Sequence, residues 1–326
     1  MSDQKHALIL GATGGVGGAV AAALLRHGWR VRGMARQAPA QAGRIEWFLG
    51  DAMRREDVLR AAEGVSVIVH AVNPPNYGNW EKLVLPMIDN TIAAARAAGG
   101  ARVVLPGTVY NFDPKTNPVI GSDTAQRPKS RKGAIRVALE ERLEQAAPEV
   151  PALILRAGDF FGPGARSSWF SQAMIAPGKP VKRIMNPARG AGHSWAYLPD
   201  LAETFALLLD RPERLRPFER LQFEGHYDDN GHRLTDAIRS AAGRDVPVRA
   251  FPWWAMRLLS PFNSFMREAA EIAPYWRHPV RLDNTRLVEL LEAEPRTPLA
   301  EAVRASLHDM GSLETQPVSA RHAATA

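Results

Sequence analysis

The segment Gly11-Ala-Thr-Gly-Gly-Val-Gly17 indicates the fold of this chain, because a strand pattern precedes it and a helix pattern follows it. Residues 7–10, Ala-Leu-Ile-Leu, form a short apolar run closed by glycine, which is typical of a buried parallel strand. Residues 17–27 have the pattern of the helix that would follow. A glycine-rich turn in this context predicts that backbone amides at the helix N-terminus bind a pyrophosphate. The alternative is a glycine-rich turn without a ligand.

Apolar strands and helices continue to alternate along the chain. The pattern predicts further strands at residues 31–35, 45–49, 65–71, 102–105 and 152–156, and helices at residues 54–62, 80–98, 132–146 and 198–209. The strands are largely apolar on both faces, as in a parallel sheet that helices cover on both sides. The sequence therefore predicts an α/β fold, a Rossmann-type doubly wound parallel sheet.

The strict alternation fades after residues 162–164, Gly-Pro-Gly. We expect residues 1–160 and about 193–227 to form the NAD(P)-binding domain, and about 161–192 and 228–310 to form a second, smaller lobe. Residues 311–326 are small and polar, and we expect a disordered tail there. Residues 247–279 crowd Trp253, Trp254 and Trp276 among prolines. We interpret this aromatic segment as a lid or pocket wall, with core packing and a membrane-surface helix as the alternatives.

Composition limits the function classes. The chain has 326 residues and no cysteine, which excludes disulfides and thiolate metal sites. Its 41 basic and 34 acidic residues give a formal net charge of +7, but the basic residues are spread beside acidic neighbours, which argues against nucleic acid as a partner. His226, Asp228, Asp229 and His232 are better explained as a turn than as a metal site. We expect a small-molecule substrate, no metal, no membrane partner and a cytoplasmic location, and we leave a homodimer open.

The predicted cofactor site lies at the carboxyl ends of the strands. Arg36 follows the second strand, where an NAD-selective enzyme places an acidic residue for the ribose hydroxyls. An arginine there can bind the extra phosphate of NADP, so NADP(H) is favoured over NAD(H), with Arg32 as a helper. An exposed arginine without a ligand is the alternative. The predicted cofactor-binding residues are Gly11, Thr13, Gly14, Gly15, Val16, Gly17, Arg36, Asp51, Ala52, Ala71, Val72, Asn73 and Arg136.

Further motifs accompany the glycine-rich turn. They are Gly50-Asp51, Val103-Val-Leu105 followed by Val109-Tyr110, Leu155-Arg-Ala-Gly-Asp-Phe-Phe-Gly-Pro163, Trp195-Ala-Tyr-Leu-Pro-Asp200 and Thr297-Pro-Leu299. With them the sequence resembles, over most of its length, the extended and atypical short-chain dehydrogenase/reductases, the group that includes the NAD-dependent epimerase/dehydratases. The resemblance implies that NAD(P) binds the first lobe and that the substrate binds the smaller carboxy-terminal lobe.

The catalytic motif of that family is altered in this chain. The usual proton relay is a tyrosine with a lysine four residues later, and none of the five tyrosines fits. Alignment through Glu140 puts Lys132 at the tyrosine position and Arg136 at the lysine position, while counting back from Tyr110 puts Pro106 where a hydroxyl is expected. The segment from Lys132 to Arg136 resembles instead the isoflavone-reductase-like enzymes, in which a lysine replaces the tyrosine.

Lys132 is therefore the predicted catalytic residue, with Thr108 and Tyr110 as the nearest hydroxyls. The positive charges of Arg131 and Arg136 disfavour the ammonium form, which favours proton transfer at neutral pH. A lysine that stays protonated can still polarise a carbonyl for hydride attack. The alternatives are a solvated lysine or one that binds the cofactor ribose, and purely structural hydrogen bonds for the two hydroxyls.

The leading hypothesis is an NADP-dependent oxidoreductase that acts on a carbonyl or an activated double bond of a small molecule, with lysine as the proton donor. Two alternatives stay open. One is an NAD(P)-dependent nucleotide-sugar epimerase/dehydratase, whose oxidation step ordinarily needs the missing tyrosine. The other is a non-catalytic NADP-binding regulator that senses redox state.

Overall fold

A computed structural model of the chain describes residues 5–37, 39, 43–74, 79–188 and 190–313. Most of the predicted tail, residues 314–326, lies outside the described residues. The strands are β1 (His6–Leu10), β2 (Arg30–Ala35), β3 (Glu46–Leu49), β4 (Val67–His70), β5 (Arg102–Gly107), β6 (Val119–Ile120), β7 (Ala152–Arg156), β8 (Asp159–Phe161), β9 (Ile184–Asn186), β10 (His193–Tyr197), β11 (Phe218–Gln222), β12 (His226–Asp228), β13 (Val248–Ala250) and β14 (Arg281–Leu282). The α-helices are α1 (Gly15–Arg26), α2 (Arg55–Ala61), α3 (Trp80–Ala97), α4 (Arg131–Ala146), α5 (Leu198–Leu209), α6 (Arg233–Ala242), α7 (Trp253–Leu259), α8 (Ser264–Ile272), α9 (Thr285–Leu291) and α10 (Leu299–Asp309).

Seven of these strands form one parallel sheet. Their order is β11-β7-β5-β4-β1-β2-β3, and every neighbouring pair is parallel. The chain runs outward from β1 to β3 and then returns to β4 on the other side of β1. The strand order thus reverses between β1 and β4, and at such a reversal the carboxyl ends of the strands leave a crevice where nucleotides bind. The predicted Rossmann-type α/β fold is confirmed.

Helices cover both faces of the seven-stranded sheet. Helices α1 and α5 pack together on one face, and α2, α3 and α4 cover the other. Leu8 and Ile9 are consecutive in β1, and each is fully buried in a different one of these two cores. Because both faces are buried, the strands are continuous apolar runs in the sequence.

A third apolar core lies outside the central sheet, and we call the elements around it the second lobe. It contains three small sheets, in the orders β12-β10-β8, β13-β9 and β14-β6, together with α6, α7, α8 and α10. Two elements depart from the predicted division of the chain. Strand β10, expected in the first domain, pairs with β8 and β12 outside the central sheet. Helix α9, expected in the substrate lobe, packs against α5 and β11, because Leu287 and Leu290 bury themselves in the core on that face of the central sheet.

The aromatic segment at residues 247–279 lies mostly inside the second lobe. Trp253 and Trp276 are each 1% exposed, and their rings lie 5.4 and 5.2 Å from the ring of Trp169. Core packing is therefore the correct interpretation for these two residues. Trp254 and Phe262 differ, because they project into solvent.

A charged cluster joins the end of α1 to α5. The Nδ1 atom of His27 lies 2.6 Å from a carboxylate oxygen of Asp210, and its Nε2 atom lies 2.7 Å from one of Glu203. Burial of the ring acts to lower the pKa of His27, but the hydrogen bonds to Asp210 and Glu203 outweigh burial and raise the pKa above 6.5. The same cluster holds the pKa values of both carboxyl groups below their ordinary range, although burial opposes that shift.

We expect His27→Gln to lower the free energy of unfolding by about 1 kcal/mol near pH 5.5 and by less near pH 9. The raised pKa of His27 contributes stability that is complete below 6.5 and is lost as the pH rises through the folded-state value. The lowered pKa values of Asp210 and Glu203 contribute stability at pH values above the ordinary pKa range of a carboxyl group. The loss of stability in His27→Gln is therefore largest between about pH 5 and pH 6. Urea unfolding of the wild-type protein and of His27→Gln at several pH values measures this loss of stability, with His278→Gln as the control. An equal loss at all pH values would contradict the prediction.

Candidate active site

The glycine-rich turn lies at the crevice between β1 and β4. The Gly14 N–H donates to the Gly11 carbonyl oxygen at 2.9 Å, and α1 begins at the next residue. A Cβ atom on Gly17 would lie 2.2 Å from the same carbonyl oxygen, so glycine is needed for the helix to start this near the turn. Thr13 is exposed here, and in the described part of the chain no side chain caps α1. Its first amides are therefore available to phosphate oxygens.

The other predicted cofactor residues on this side follow β2 and β3. Arg36 comes directly after β2 and is exposed. Asp51 is half-buried after β3 and accepts a hydrogen bond from a backbone amide two residues later at 2.9 Å, while Ala52 is buried. Arg32 instead donates to Glu46 at 3.1 Å and to a carbonyl oxygen at the end of α2 at 2.7 Å. The structure therefore gives Arg32 a structural role and does not support it as a helper of Arg36.

Two predicted cofactor residues meet where β4 ends. Arg136 Nη2 on α4 donates to the Asn73 side-chain oxygen at 3.1 Å, and its guanidinium lies 4.9 Å from the centre of the Trp80 ring. Sequence reasoning missed His70, the last residue of β4, whose Nδ1 lies 2.8 Å from the Thr91 hydroxyl. Burial and the positive charge of Arg136 lower the pKa of His70 to about 3. The imidazole is therefore neutral, and Arg136 carries the positive charge at this end of the crevice.

A buried ion pair lies behind the predicted catalytic segment. Arg156 at the end of β7 is 1% exposed and Glu140 on α4 is 3% exposed, and Arg156 Nη2 donates to Glu140 at 2.9 Å. Arg156 Nη1 also donates to the carbonyl oxygen of Thr108. Glu140 further accepts hydrogen bonds from Asn111 at 2.9 Å and Gln126 at 2.6 Å. This network holds residues 108–111, which carry both predicted hydroxyls, against α4.

The two predicted hydroxyl residues have different surroundings. The Thr108 hydroxyl accepts a hydrogen bond from the Tyr110 N–H at 3.3 Å and caps the short helical turn that follows β5. The Tyr110 ring packs edge-on against Tyr275, with ring centres 5.2 Å apart. The Tyr275 hydroxyl donates to the carbonyl oxygens of Tyr110 and Phe112 at 3.0 and 2.9 Å, and burial raises its pKa. Tyr275 therefore supports this turn as a neutral donor.

Lys132 lies at the contact between the two lobes and is 2% exposed. Its Nζ donates to Glu271 at 2.6 Å and to Glu268, both on α8, and its backbone N–H also donates to Glu271 at 3.2 Å. The predicted charge environment is therefore wrong, because two carboxylates oppose the positive charges of Arg131 and Arg136 around this amine.

Lys132 is held beside the Tyr110 turn by the residue that follows it. A Cβ atom on Gly133 would lie 2.2 Å from the Tyr110 carbonyl oxygen, so glycine lets the start of α4 approach this turn. Ser130 caps the helix by accepting a hydrogen bond from the Gly133 N–H at 3.0 Å. The structure thus brings Lys132 and Tyr110 onto adjoining segments.

A cleft of about 530 Å³ opens beside these segments. It is lined by Lys129, Ser130, Arg131, Arg267 and Glu271. Burial acts to raise the pKa of Glu271, but the hydrogen bonds from Lys132 outweigh it and hold the pKa below 4.5. The cleft is large enough for a small molecule, and its walls are mainly basic.

The sequence did not reveal Glu268 and Glu271 as members of this site. Their spacing of three residues puts them on one face of a helix, which is a weak signal that acidic side chains act together. Their partner lies 136 and 139 residues away in the sequence, and no local pattern connects them.

The residues that could be drawn as a metal site span β12 and the turn that leads into α6. Asp228 accepts hydrogen bonds from the backbone N–H groups of His232, Arg233 and Leu234 at 3.0–3.1 Å and so caps α6. Within the described ranges, no group of three His, Asp or Glu side chains is placed to hold a metal ion.

Comparisons with known proteins agree with this architecture. A sequence model of the NAD dependent epimerase/dehydratase family matches residues 7–222. The chain is 29% identical to 3-diazoavenalumate denitrifying reductase of Streptomyces sp over an alignment of 204 residues, and the match covers 57% of this chain and 65% of that protein. It is 32% identical to aldehyde reductase 2 of Sporidiobolus salmonicolor over an alignment of 137 residues, and the match covers 36% of this chain and 39% of that protein. Both matches span less than two thirds of the relative's length.

Solved structures share the fold over nearly the whole chain. MoeE5 in complex with UDP-glucuronic acid and NAD has a TM-score of 0.73 at 18% identity, with 93% of this chain and 98% of that chain covered. A UDP-galactose 4-epimerase has a TM-score of 0.66 at 16% identity, with the same coverage of 93% and 98%. At these identities the likeness concerns the fold alone.

We expect Gly17→Ala to weaken NADPH and NADH binding by at least about tenfold, because the new methyl group collides with the Gly11 carbonyl oxygen and displaces the amides that face the pyrophosphate. Fluorescence titration of each nucleotide measures the effect. Gly121→Ala is the matched control, since its Cβ atom would meet nothing within 3.7 Å. Unchanged binding in Gly17→Ala would show that the phosphates lie elsewhere.

Proposed function

Because the chain belongs to the NAD dependent epimerase/dehydratase family, we propose that it is an NADP-dependent oxidoreductase acting on a carbonyl or activated double bond of a small molecule. The observation that carries the proposal is the position of Lys132, a charged amine beside the Tyr110 turn, where the family resemblance expects a tyrosine proton donor. Two of the relatives are named as reductases, which supports this reaction class.

The proposed chemistry needs a hydride and a proton. The reduced dinucleotide, when bound, supplies the hydride. Lys132 donates a hydrogen bond to the substrate oxygen, and it transfers a proton as negative charge develops there. Glu268 and Glu271 accept hydrogen bonds from its amine and so orient it. The Tyr110 hydroxyl is the second candidate donor, on the adjoining segment.

The proposed substrate site lies between the start of α4 and the second lobe. The cleft beside Glu271 has three basic side chains in its wall, Lys129, Arg131 and Arg267. The substrate oxygen would approach Lys132 from this side. A small-molecule substrate and a cytoplasmic location stay predictions, as does the division of the chain into a cofactor domain and a substrate lobe.

The proposed preference for NADP rests on Arg36. An NAD-selective site has an acidic residue after the second strand, and this chain has an exposed arginine there. A guanidinium can bind a ribose phosphate with two parallel hydrogen bonds. Arg32 is already bound by Glu46 and backbone carbonyls, so Arg36 alone is proposed for this role.

A nucleotide-sugar epimerase or dehydratase is the second candidate, favoured by the likeness of the whole fold to MoeE5 and UDP-galactose 4-epimerase. The absence of the tyrosine relay argues against this second candidate, because the oxidation step of such an enzyme ordinarily needs that tyrosine. A redox-sensing regulator is the third candidate; it would bind NADP(H) but consume no NADPH with any carbonyl compound.

We expect Lys132→Met to reduce NADPH-dependent turnover by about 100-fold, because the substrate oxygen loses its proton donor, while the NADPH dissociation constant changes by no more than a few-fold. Aldehydes, ketones and enones serve as the substrate panel. Lys129→Met is the control for charge in the cleft. Glu268→Gln is the control for a loosened contact between the lobes, since it weakens the ion pair with Lys132 but keeps the lysine. Retained turnover in Lys132→Met would refute the catalytic role.

We expect Arg36→Ala to weaken NADPH binding by about tenfold and to leave NADH binding unchanged, because NADPH alone carries the phosphate on the adenosine ribose. Arg30→Ala is the matched control, since Arg30 is exposed at the opposite end of the same strand. Titration of NADPH and NADH into the wild-type protein and the two variants measures this selectivity. An equal loss for the two nucleotides would assign Arg36 a role other than selectivity.

A further inference from the structure

An apolar surface is exposed on α7 and the turn that follows it. Its members are Trp254, Leu258, Leu259 and Phe262, which are 67%, 65%, 41% and 87% exposed. We call these four residues the α7 surface. The neighbouring Trp253 is 1% exposed, and its indole N–H donates to the Pro187 carbonyl oxygen at 3.0 Å. Helix α7 is thus packed into the second lobe on one side while its other side presents large apolar side chains to solvent.

The segment that carries the α7 surface is basic. Residues 246–267 contain the arginines Arg249, Arg257 and Arg267 and no aspartate or glutamate. Arg257 lies between Trp254 and Leu258 on α7 and is exposed, and within the described ranges the structure records no ion pair for it. Arg267 pairs with Glu268, the residue that follows it, at 3.9 Å. The α7 surface therefore combines aromatic and aliphatic side chains with the positive charge of Arg257.

We propose that the α7 surface docks this protein peripherally on an anionic phospholipid membrane. Tryptophan and phenylalanine favour the boundary between headgroups and acyl chains, and arginines bind the lipid phosphates beside them. The docking is peripheral, since no described helix is long and apolar enough to span a bilayer. The inference is independent of the proposed reaction, and it replaces the expectation that the protein has no membrane partner.

A second copy of the chain fits this surface less well. A twofold symmetric contact places the same patch on both subunits, so it would bring two copies of Arg257 into one interface. Like charges in such a contact oppose association, whereas an anionic membrane neutralises them. Charge complementarity therefore favours the membrane as the occupant.

Vesicle flotation with the full chain tests the proposal. The probes are vesicles of phosphatidylcholine alone and of phosphatidylcholine with phosphatidylglycerol. We expect flotation with the anionic vesicles only, and added salt should weaken it because the attraction to the headgroups is screened. Leu258→Glu and Phe262→Glu should each lower the apparent affinity by at least about tenfold, since each puts a charge where an apolar side chain enters the lipid.

Leu49→Glu is the matched control, because Leu49 is an equally exposed leucine, at 61%, elsewhere on the molecule. It should leave flotation unchanged. Arg257→Glu tests the charge contribution separately and should abolish the preference for anionic vesicles. The proposal is overturned if the protein does not float with anionic vesicles, or if Leu49→Glu impairs flotation as strongly as Leu258→Glu. A dimer that Leu258→Glu dissociates, in a protein that binds no vesicles, would assign the surface to self-association.

Discussion

The ion pair between Arg156 and Glu140 is the interaction on which the centre of this molecule depends. Both side chains are almost fully buried, and a buried charge without its partner costs about 3 to 5 kcal/mol. Arg156 therefore requires Glu140 on α4 and the Thr108 carbonyl oxygen after β5, and Glu140 in turn requires Asn111. The end of β7, the turn after β5 and the middle of α4 thus hold one another in place, and the start of α4 is set against the turn that carries Tyr110.

The cofactor crevice and the proposed catalytic amine are positioned by different means. The crevice arises from strand order and from glycine contacts within the first lobe, which involve backbone atoms alone. Lys132 is positioned by side chains of the second lobe, since Glu268 and Glu271 on α8 bind its amine. The proposed nucleotide site and the proposed catalytic amine therefore depend on different contacts. A movement of α8 would alter the surroundings of the amine and leave the glycine-rich turn intact.

Sequence reasoning succeeded where the structure depends on local patterns. The strand at residues 152–156 and the helix at residues 198–209 have the predicted bounds, and the central sheet has the predicted class. The predicted charge around Lys132 is wrong, because it took account only of the sequence neighbours Arg131 and Arg136. The predicted lobe of α9 is also wrong, because its leucines are as compatible with one core as with the other. In the aromatic segment, composition did not distinguish buried Trp253 from exposed Trp254.

The sequence by itself determined the α/β class, the glycine-rich turn, the loss of the tyrosine relay and the arginine after β2. Each depends on residue type and on spacings of a few residues, which act through backbone geometry and periodic burial. Only the tertiary structure decided which carboxylates meet Lys132, that Arg32 is already bound, and that α7 leaves a basic apolar surface in solvent. These depend on contacts between residues distant in sequence, such as the 136 residues that separate Lys132 from Glu268, and local patterns carry no information about such distances.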